Sequence, residues 1–102
     1  MEIWDDASIE TQAEIFRVIG HPVRLRIIKT VIDGELPVSQ IVGAVSAKQS
    51  NVSRHLVVLK QSGILTHRKS GLRVYYRVAT PERANIIRAM IGHAAALAVR
   101  NS

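Results

Sequence analysis

The stretch Gln49-Ser50-Asn51-Val52-Ser53-Arg54-His55-Leu56-Val57-Val58-Leu59-Lys60-Gln61-Ser62-Gly63 decides how this chain folds. At helical period, Val52, Leu56 and Leu59 fall on one stripe at i, i+4 and i+7, which predicts a helix docked on a core. The opposite face carries Ser50, Arg54 and Gln61, flanked by Gln49, Ser53 and Lys60. These are hydroxyls, amides and cations, with no carboxylate among them. An ordinary amphipathic surface helix mixes Glu with Lys on its outer side. A face of donors suits the major groove of DNA instead, where Arg pairs with guanine, Gln or Asn with adenine, and Ser with a base edge or a phosphate.

Both ends of this helix are marked. Ser46, with Gln49 three residues on, has the spacing of a capping box, whereas a start at Lys48 would use a poor N-cap. Gly63 suits the left-handed C′ position, and Ile64 would then touch Leu59 in a Schellman motif.

Upstream, Pro37 is expected to open a short third helix in which Val38, Ile41, Val42 and Val45 form an inward stripe. Joined to the helix of the opening stretch by the few residues Val45 to Lys48, it makes a helix-turn-helix over about 38–62. Downstream the period drops to 2. Ile64 to Lys69 and Leu72 to Val78 read as two strands around the breaker pair Ser70-Gly71, a hairpin over about 64–79. Leu72, Val74, Tyr76 and Val78 are expected on one face, with Arg73, Tyr75 and Arg77 on the other. A basic hairpin after such a helix is a wing, and Arg68, Lys69 and Arg73 at its tip could reach phosphates or a minor groove.

Two helices precede this unit. Residues 1–7 read as loosely ordered, although Trp4 is a large apolar group to leave free. A helix over about 8–19 carries Ile9, Ala13 and Phe16 on one face and ends at Gly20. Pro22 begins the next, which turns Val23, Ile27, Ile28 and Val31 inward and closes at Asp33-Gly34. Its Arg24, Arg26 and Lys29 read first as solvated charges. The last helix, over about 80–99, is capped by Thr80 and begun by Pro81. Ala84, Ile87, Ile91, Ala95 and Ala98 form a stripe that Ile86, Met90 and Leu97 widen almost around the cylinder. That is more apolar surface than one small domain covers, so a second copy of the chain is the expected recipient. The residues placed in that interface are Trp4, Phe16, Ile87, Ile91 and Ala95.

The composition fits. At 102 residues and 47% hydrophobic content the chain is expected to form one domain spanning 1–102. It holds no cysteine, which removes disulfides, thiolate metal sites and thiol nucleophiles. Five of its eight acids precede Arg17, and none lies from Leu36 to Pro81, where Lys48, Arg54, Lys60, Arg68, Lys69, Arg73 and Arg77 stand. A segregated positive half predicts a polyanionic partner. A membrane surface would require exposed large apolar residues in that half, which the pattern does not show. With no signal peptide or membrane span in view, the expected location is the cytoplasm. No acid–base–nucleophile set or phosphate-cradling glycine loop appears, so no enzyme is expected.

Four segments together resemble the ArsR/SmtB family of bacterial winged-helix repressors. They are Gly20-His21-Pro22-Val23-Arg24-Leu25-Arg26-Ile27-Ile28, Gln49 to Leu56 with Leu59, Ser62-Gly63-Ile64-Leu65, and Val74-Tyr75-Tyr76-Arg77-Val78. The match covers about residues 11–81. It implies a mainly α winged helix-turn-helix fold, with about five helices and one two-stranded wing. It also implies a homodimer built from the first and last helices, and repression by occupying an imperfect inverted repeat in double-stranded DNA. In the family the residues matching Gln49, Ser50, Ser53 and Arg54 face the major groove. With the helix and wing cations, the expected DNA-contacting set is Lys48, Gln49, Ser50, Asn51, Ser53, Arg54, Lys60, Arg68, Lys69 and Arg73.

The chain departs from the family in sensing. Metal-sensing members carry two cysteines that align here with Pro37 and Ser39. Others bind zinc on the last helix, where His93 would be joined by Thr80, Glu82 and Ala96. Neither set is complete, so no metal or cofactor is expected, and regulation would fall to an organic ligand in the dimer interface, to a partner protein, or simply to protein abundance. The alternatives are a winged-helix protein-interaction module and a metal sensor using a non-cysteine site on the last helix.

Overall fold

The computed structural model of the chain describes residues 2–100; Met1, Asn101 and Ser102 of the expected domain lie outside the described residues. The elements run α1 (Asp6–Ile19), α2 (Pro22–Val31), β1 (Leu36–Pro37), α3 (Val38–Val45), α4 (Gln49–Gln61), β2 (Leu65–Ser70), β3 (Arg73–Val78) and α5 (Pro81–Arg100).

Helix α1 begins earlier than its apolar pattern does. Asp5 is the N-cap, its carboxylate accepting from the Ser8 N–H at 2.8 Å, while the Gln12 side-chain amide donates to the Ile3 carbonyl at 2.6 Å. The segment expected to be loose is thus tied to the helix it precedes. Gly20 closes α1, its N–H bonded to the Phe16 carbonyl at 2.8 Å. His21 caps α2, its Nδ1 accepting from the Val23 N–H, and Pro22 sits where a missing N–H costs nothing.

The core is built from the stripes that the sequence predicts. Ile27, Ile28 and Val31 of α2, Ile41 and Val45 of α3, and Val52, Leu56 and Leu59 of α4 are all buried. They meet Ile64, Leu65, Tyr76 and Val78 from the hairpin and Ala84 and Ile87 from α5. Three details differ from expectation. Ser46 does not cap α4: it ends α3 in the left-handed region (φ 56°), and the N-cap is Lys48, which makes no side-chain cap bond. The tight α3–α4 turn needs a left-handed residue there, which turns its hydroxyl away from capping duty. Pro37 opens α3 as its N-cap, as expected, but it also pairs with Tyr75 in a short strand, as Leu36 pairs with Tyr76, so the sheet has three strands in the order β1-β3-β2. Leu72 leaves the inward face of β3, because Ser70 pairs with Arg73 and Gly71-Leu72 form the two-residue loop.

The far end of α4 has the Schellman geometry. Gly63 is left-handed (φ 81°) and donates to the Lys60 carbonyl at 3.0 Å, and Ile64 donates to the Leu59 carbonyl at 3.1 Å. Arg83 of α5 binds the Gly63 carbonyl at 2.9 Å, and Arg88 binds that of Ile32 at 2.9 Å. Helix α5 is therefore fastened to the ends of α4 and α2 over its first half. Thr80 caps it, accepting from the Arg83 N–H at 3.1 Å.

Candidate nucleic-acid interface

Helix α4 presents two chemically distinct sides. Val52, His55, Leu56 and Leu59 face the core, while Gln49, Ser50, Asn51, Arg54 and Lys60 are exposed and Ser53 is half-buried. Lys48 stands exposed at the N-cap and supplies no side-chain cap, its carbonyl accepting from the Asn51 and Val52 N–H groups at 3.0 Å. Arg54 lies over the preceding turn, its Nη2 donating to the Asn51 side-chain oxygen at 3.2 Å. That bond holds the guanidinium alongside the Asn51 side chain on the exposed face.

Val57 is absent from the set expected from sequence, yet it stands one turn beyond Arg54 with 47% of its surface exposed. Its i+3 spacing from Arg54 is the signal that could have found it. The last turn is less suited to an anion. Gln61 borders a hollow shared with Glu10 and Glu14 of α1, so the acid-free surface is the first half of the helix.

The hairpin lies beside that half. Lys69 and Arg73 are exposed near its tip. Leu72 and Arg73 line an open hollow of about 460 Å³ together with Gln49, Val38 and Ser39, so the wing tip and the first residue of α4 border the same recess. Arg68 is placed differently from the other wing cations. Its Nε donates to both carboxylate oxygens of Glu35 at 2.9 Å, a further bond runs from Nη2, and the guanidinium lies 4.6 Å from the Tyr75 ring centroid. Glu35 stands just before the acid-free window, and its carboxyl is held below the usual value of 4.5 chiefly by the Arg68 hydrogen bond. Arg68 thus spends its charge within the chain. Leu72 adds a second departure: at 105% relative exposure it is a bare apolar side chain in a half expected to have none.

Behind α4, one of the three charges expected to be solvated is engaged, while Arg26 and Lys29 are exposed. Arg24 donates from Nε to His55 Nδ1 at 3.1 Å and from Nη1 to the Val18 carbonyl at 3.3 Å. His21 and His55, unrelated by any ligand spacing in sequence, come together with ring centroids 4.5 Å apart. His67 lies against Tyr76, and His93 is exposed on α5. Among the described residues no group of three or more His, Asp or Glu is arranged to hold a metal, and no helix is long and apolar enough to cross a membrane.

The other expected interface lies on α1 and α5. Phe16 is 58% exposed, Trp4 is exposed, Ile91 is half-buried and Ala95 is exposed. Ile87 is the exception: at 5% exposure it belongs to the chain's own core, because α5 docks on the hairpin end through Ala84 and Ile87. Beside it Phe16, Ile19, Ile64, Ile86 and Met90 line an apolar hollow of about 320 Å³ between α1 and α5.

Known proteins share this arrangement. The family model described as bacterial regulatory protein, arsR family, matches residues 21–67, from the α2 cap to the middle of β2. The HTH-type transcriptional repressor SmtB of Mycobacterium tuberculosis is 33% identical over 86 residues, 84% of this chain, which spans 64% of that protein's length. The transcriptional repressor PagR of Bacillus anthracis is 33% identical over 82 residues, covering 79% of this chain and 82% of PagR. A homodimeric winged helix-turn-helix DNA-binding domain from Mycobacterium bovis, described as a possible ArsR-family regulator, superposes with a TM-score of 0.81 at 26% identity. That match covers 100% of this chain and 96% of the other. With the helix pair, the hairpin wing and all three sequence matches in agreement, the chain belongs to the arsR family of bacterial regulatory proteins.

Proposed function

We propose that the chain is a sequence-specific DNA-binding transcriptional repressor that acts as a homodimer and carries out no catalysis. The observation that carries this is the first half of α4, an exposed surface of donors without acids, set against a wing whose tip bears Lys69 and Arg73. In this reading Gln49, Ser50, Asn51, Ser53 and Arg54 meet base edges, and Val57 meets a thymine methyl. Lys48, Lys60, Lys69 and Arg73 meet phosphates, which position the protein without reading sequence. Arg68 contributes least, being engaged by Glu35.

Pairing through α1 and α5 would cover Phe16, Met90 and Ile86 and bring two α4 helices to one face. Two-fold symmetry then calls for an imperfect inverted repeat, with half-sites about one helical turn, roughly 34 Å, apart. The homodimeric Mycobacterium bovis neighbour supports that assembly. The absence of cysteine, with Pro37 and Ser39 at the positions of the family's paired cysteines, supports an organic or protein effector over a soft metal.

Selection of bound sequences from random duplex DNA, with sedimentation of the free protein, tests the whole proposal. The expected result is a dimer that enriches an inverted repeat. A protein that binds no DNA, or all sequences alike, would instead be an interaction module. Stoichiometric zinc should leave affinity for the selected site nearly unchanged; a tenfold loss abolished by His93→Ala would identify a metal sensor.

A further inference from the structure

We infer that Leu72 is an apolar wedge that enters the DNA minor groove beside each half-site and makes the protein favour deformable base steps there, an inference resting on the DNA-binding function proposed above. The hairpin loop has two residues. Gly71 takes the left-handed position (φ 62°), and Leu72 follows with its whole side chain in solvent. Loops of this kind are ordinarily polar at that point, and nothing in the local backbone calls for leucine.

Its surroundings identify the partner. Ser70 and Arg73 face each other across the turn, Lys69 is one residue further back, and no acid lies between residues 36 and 81. An apolar side chain ringed by donors and cations fits a surface with anionic rims and a recess of C–H groups. The minor groove is such a surface, about 6 Å wide, with phosphates along its edges and deoxyribose on its walls. A lipid surface also has anionic rims, but one leucine would insert little, and the tip shares its hollow with Gln49 of the donor-rich helix. With the start of α4 in the major groove, the sugar–phosphate strand that borders that groove would pass the recess shared by Gln49 and the wing tip. The wing tip then lies over the adjacent minor groove.

A leucine pressed between base pairs there unstacks a step, which is easiest at the pyrimidine–purine steps TA and CA/TG. The protein would therefore discriminate at a position where no side chain reads a base by hydrogen bonds.

The probes are selected operators that differ only at the flanking step, carrying TA, CA, AA or GC, some with 2-aminopurine at that step to report unstacking. Wild type should prefer TA and CA over AA by about fivefold and raise the 2-aminopurine fluorescence. Leu72→Ser should lose both effects while keeping its preference within the half-sites and its melting temperature; Leu72→Met should keep both effects. Unchanged step preference in Leu72→Ser, or none in wild type, overturns the wedge and leaves DNA binding intact. A wild type that selects no operator at all overturns the DNA-binding function itself, and the wedge with it. Anionic vesicles bound through Leu72, with no step preference, would assign the tip to lipid instead.

Discussion

Arg24 on α2 holds His55 on α4 from behind, Nε to Nδ1 at 3.1 Å, and the same guanidinium reaches the Val18 carbonyl of α1. One side chain thereby ties three helices at the back of the donor-rich face. His55 is only 7% exposed, so its ring nitrogen has little recourse to water if Arg24 is removed. Arg24→Ala should lower stability by about 1–3 kcal/mol, the cost of leaving a buried acceptor unpaired. Urea unfolding of Arg24→Ala, His55→Ala and the double variant measures it. Strict additivity, within roughly 0.5 kcal/mol, would show that the bond contributes nothing.

The same pair makes stability depend on pH. Burial is the main cause that holds the His55 imidazole below its ordinary value of 6.5, and the neighbouring His21, Arg24 and Arg54 add to it. The fold therefore favours neutral His55. Above 6.5 both folded and unfolded chains leave the ring neutral, and this contribution is fully present. As pH falls from 6.5 through the lowered folded value, the unfolded chain takes up the proton first and stability is lost. Urea midpoints of wild type at about pH 7.5 and 5.5, either side of the ordinary histidine value, should differ more than those of His55→Gln. Equal differences would remove His55 as the cause.

Arg54 and Arg73 should fail in different ways. Arg54→Ala should cost ~1–3 kcal/mol on the preferred site and relax its sequence preference. Arg73→Ala should weaken all DNA about equally and flatten the salt dependence by ~0.9 in slope for each phosphate it no longer neutralises. Titrations on specific and random duplexes at several salt concentrations separate them. If both variants change only the slope, the base-reading face has been misplaced.

Glu35 should act as a brake on the wing. Its carboxylate occupies Arg68, so Glu35→Gln should free that guanidinium for a phosphate. Affinity for random duplex would rise and the salt slope steepen by up to ~0.9 for each phosphate gained. Arg68→Ala in the otherwise unaltered chain should change the slope little. A large loss in that variant would mean that Arg68 leaves Glu35 when DNA arrives.

These residues show where sequence patterns stop. The stripes of α2, α3 and α4 are legible because many residues repeat one spacing, and the Gly63 cap because few residues tolerate its backbone. The β1 strand has only two residues, too few for a period, and exists because Tyr75 and Tyr76 lie across from it. Arg24 and His55 are 31 positions apart, and Glu35 and Arg68 are 33 apart, so only the fold brings each pair together. Leu72 obeys the alternation of β3 yet lies in the turn, one residue beyond where the pairing ends. Within the candidate site, the donors of α4 are visible in sequence, whereas the neutralised Arg68 and the exposed Leu72 are not.

Assembly should depend on Phe16. It borders the α1–α5 hollow with Met90 and leaves more than half its surface in water in the single chain. A second copy would bury that surface, and a carboxylate there would have no partner and would oppose burial. Phe16→Glu should therefore sediment as a folded monomer at micromolar concentration, where wild type should sediment as a dimer. Since Phe16 is outside the chain's own core, helical content should be retained. Operator affinity should fall by ~10²–10⁴, because the second α4 no longer binds at the effective concentration set by the first. Affinity for an isolated half-site should stay the same. A Phe16→Glu protein that remains dimeric would move the interface off α1, and a monomer with full operator affinity would show that one copy suffices.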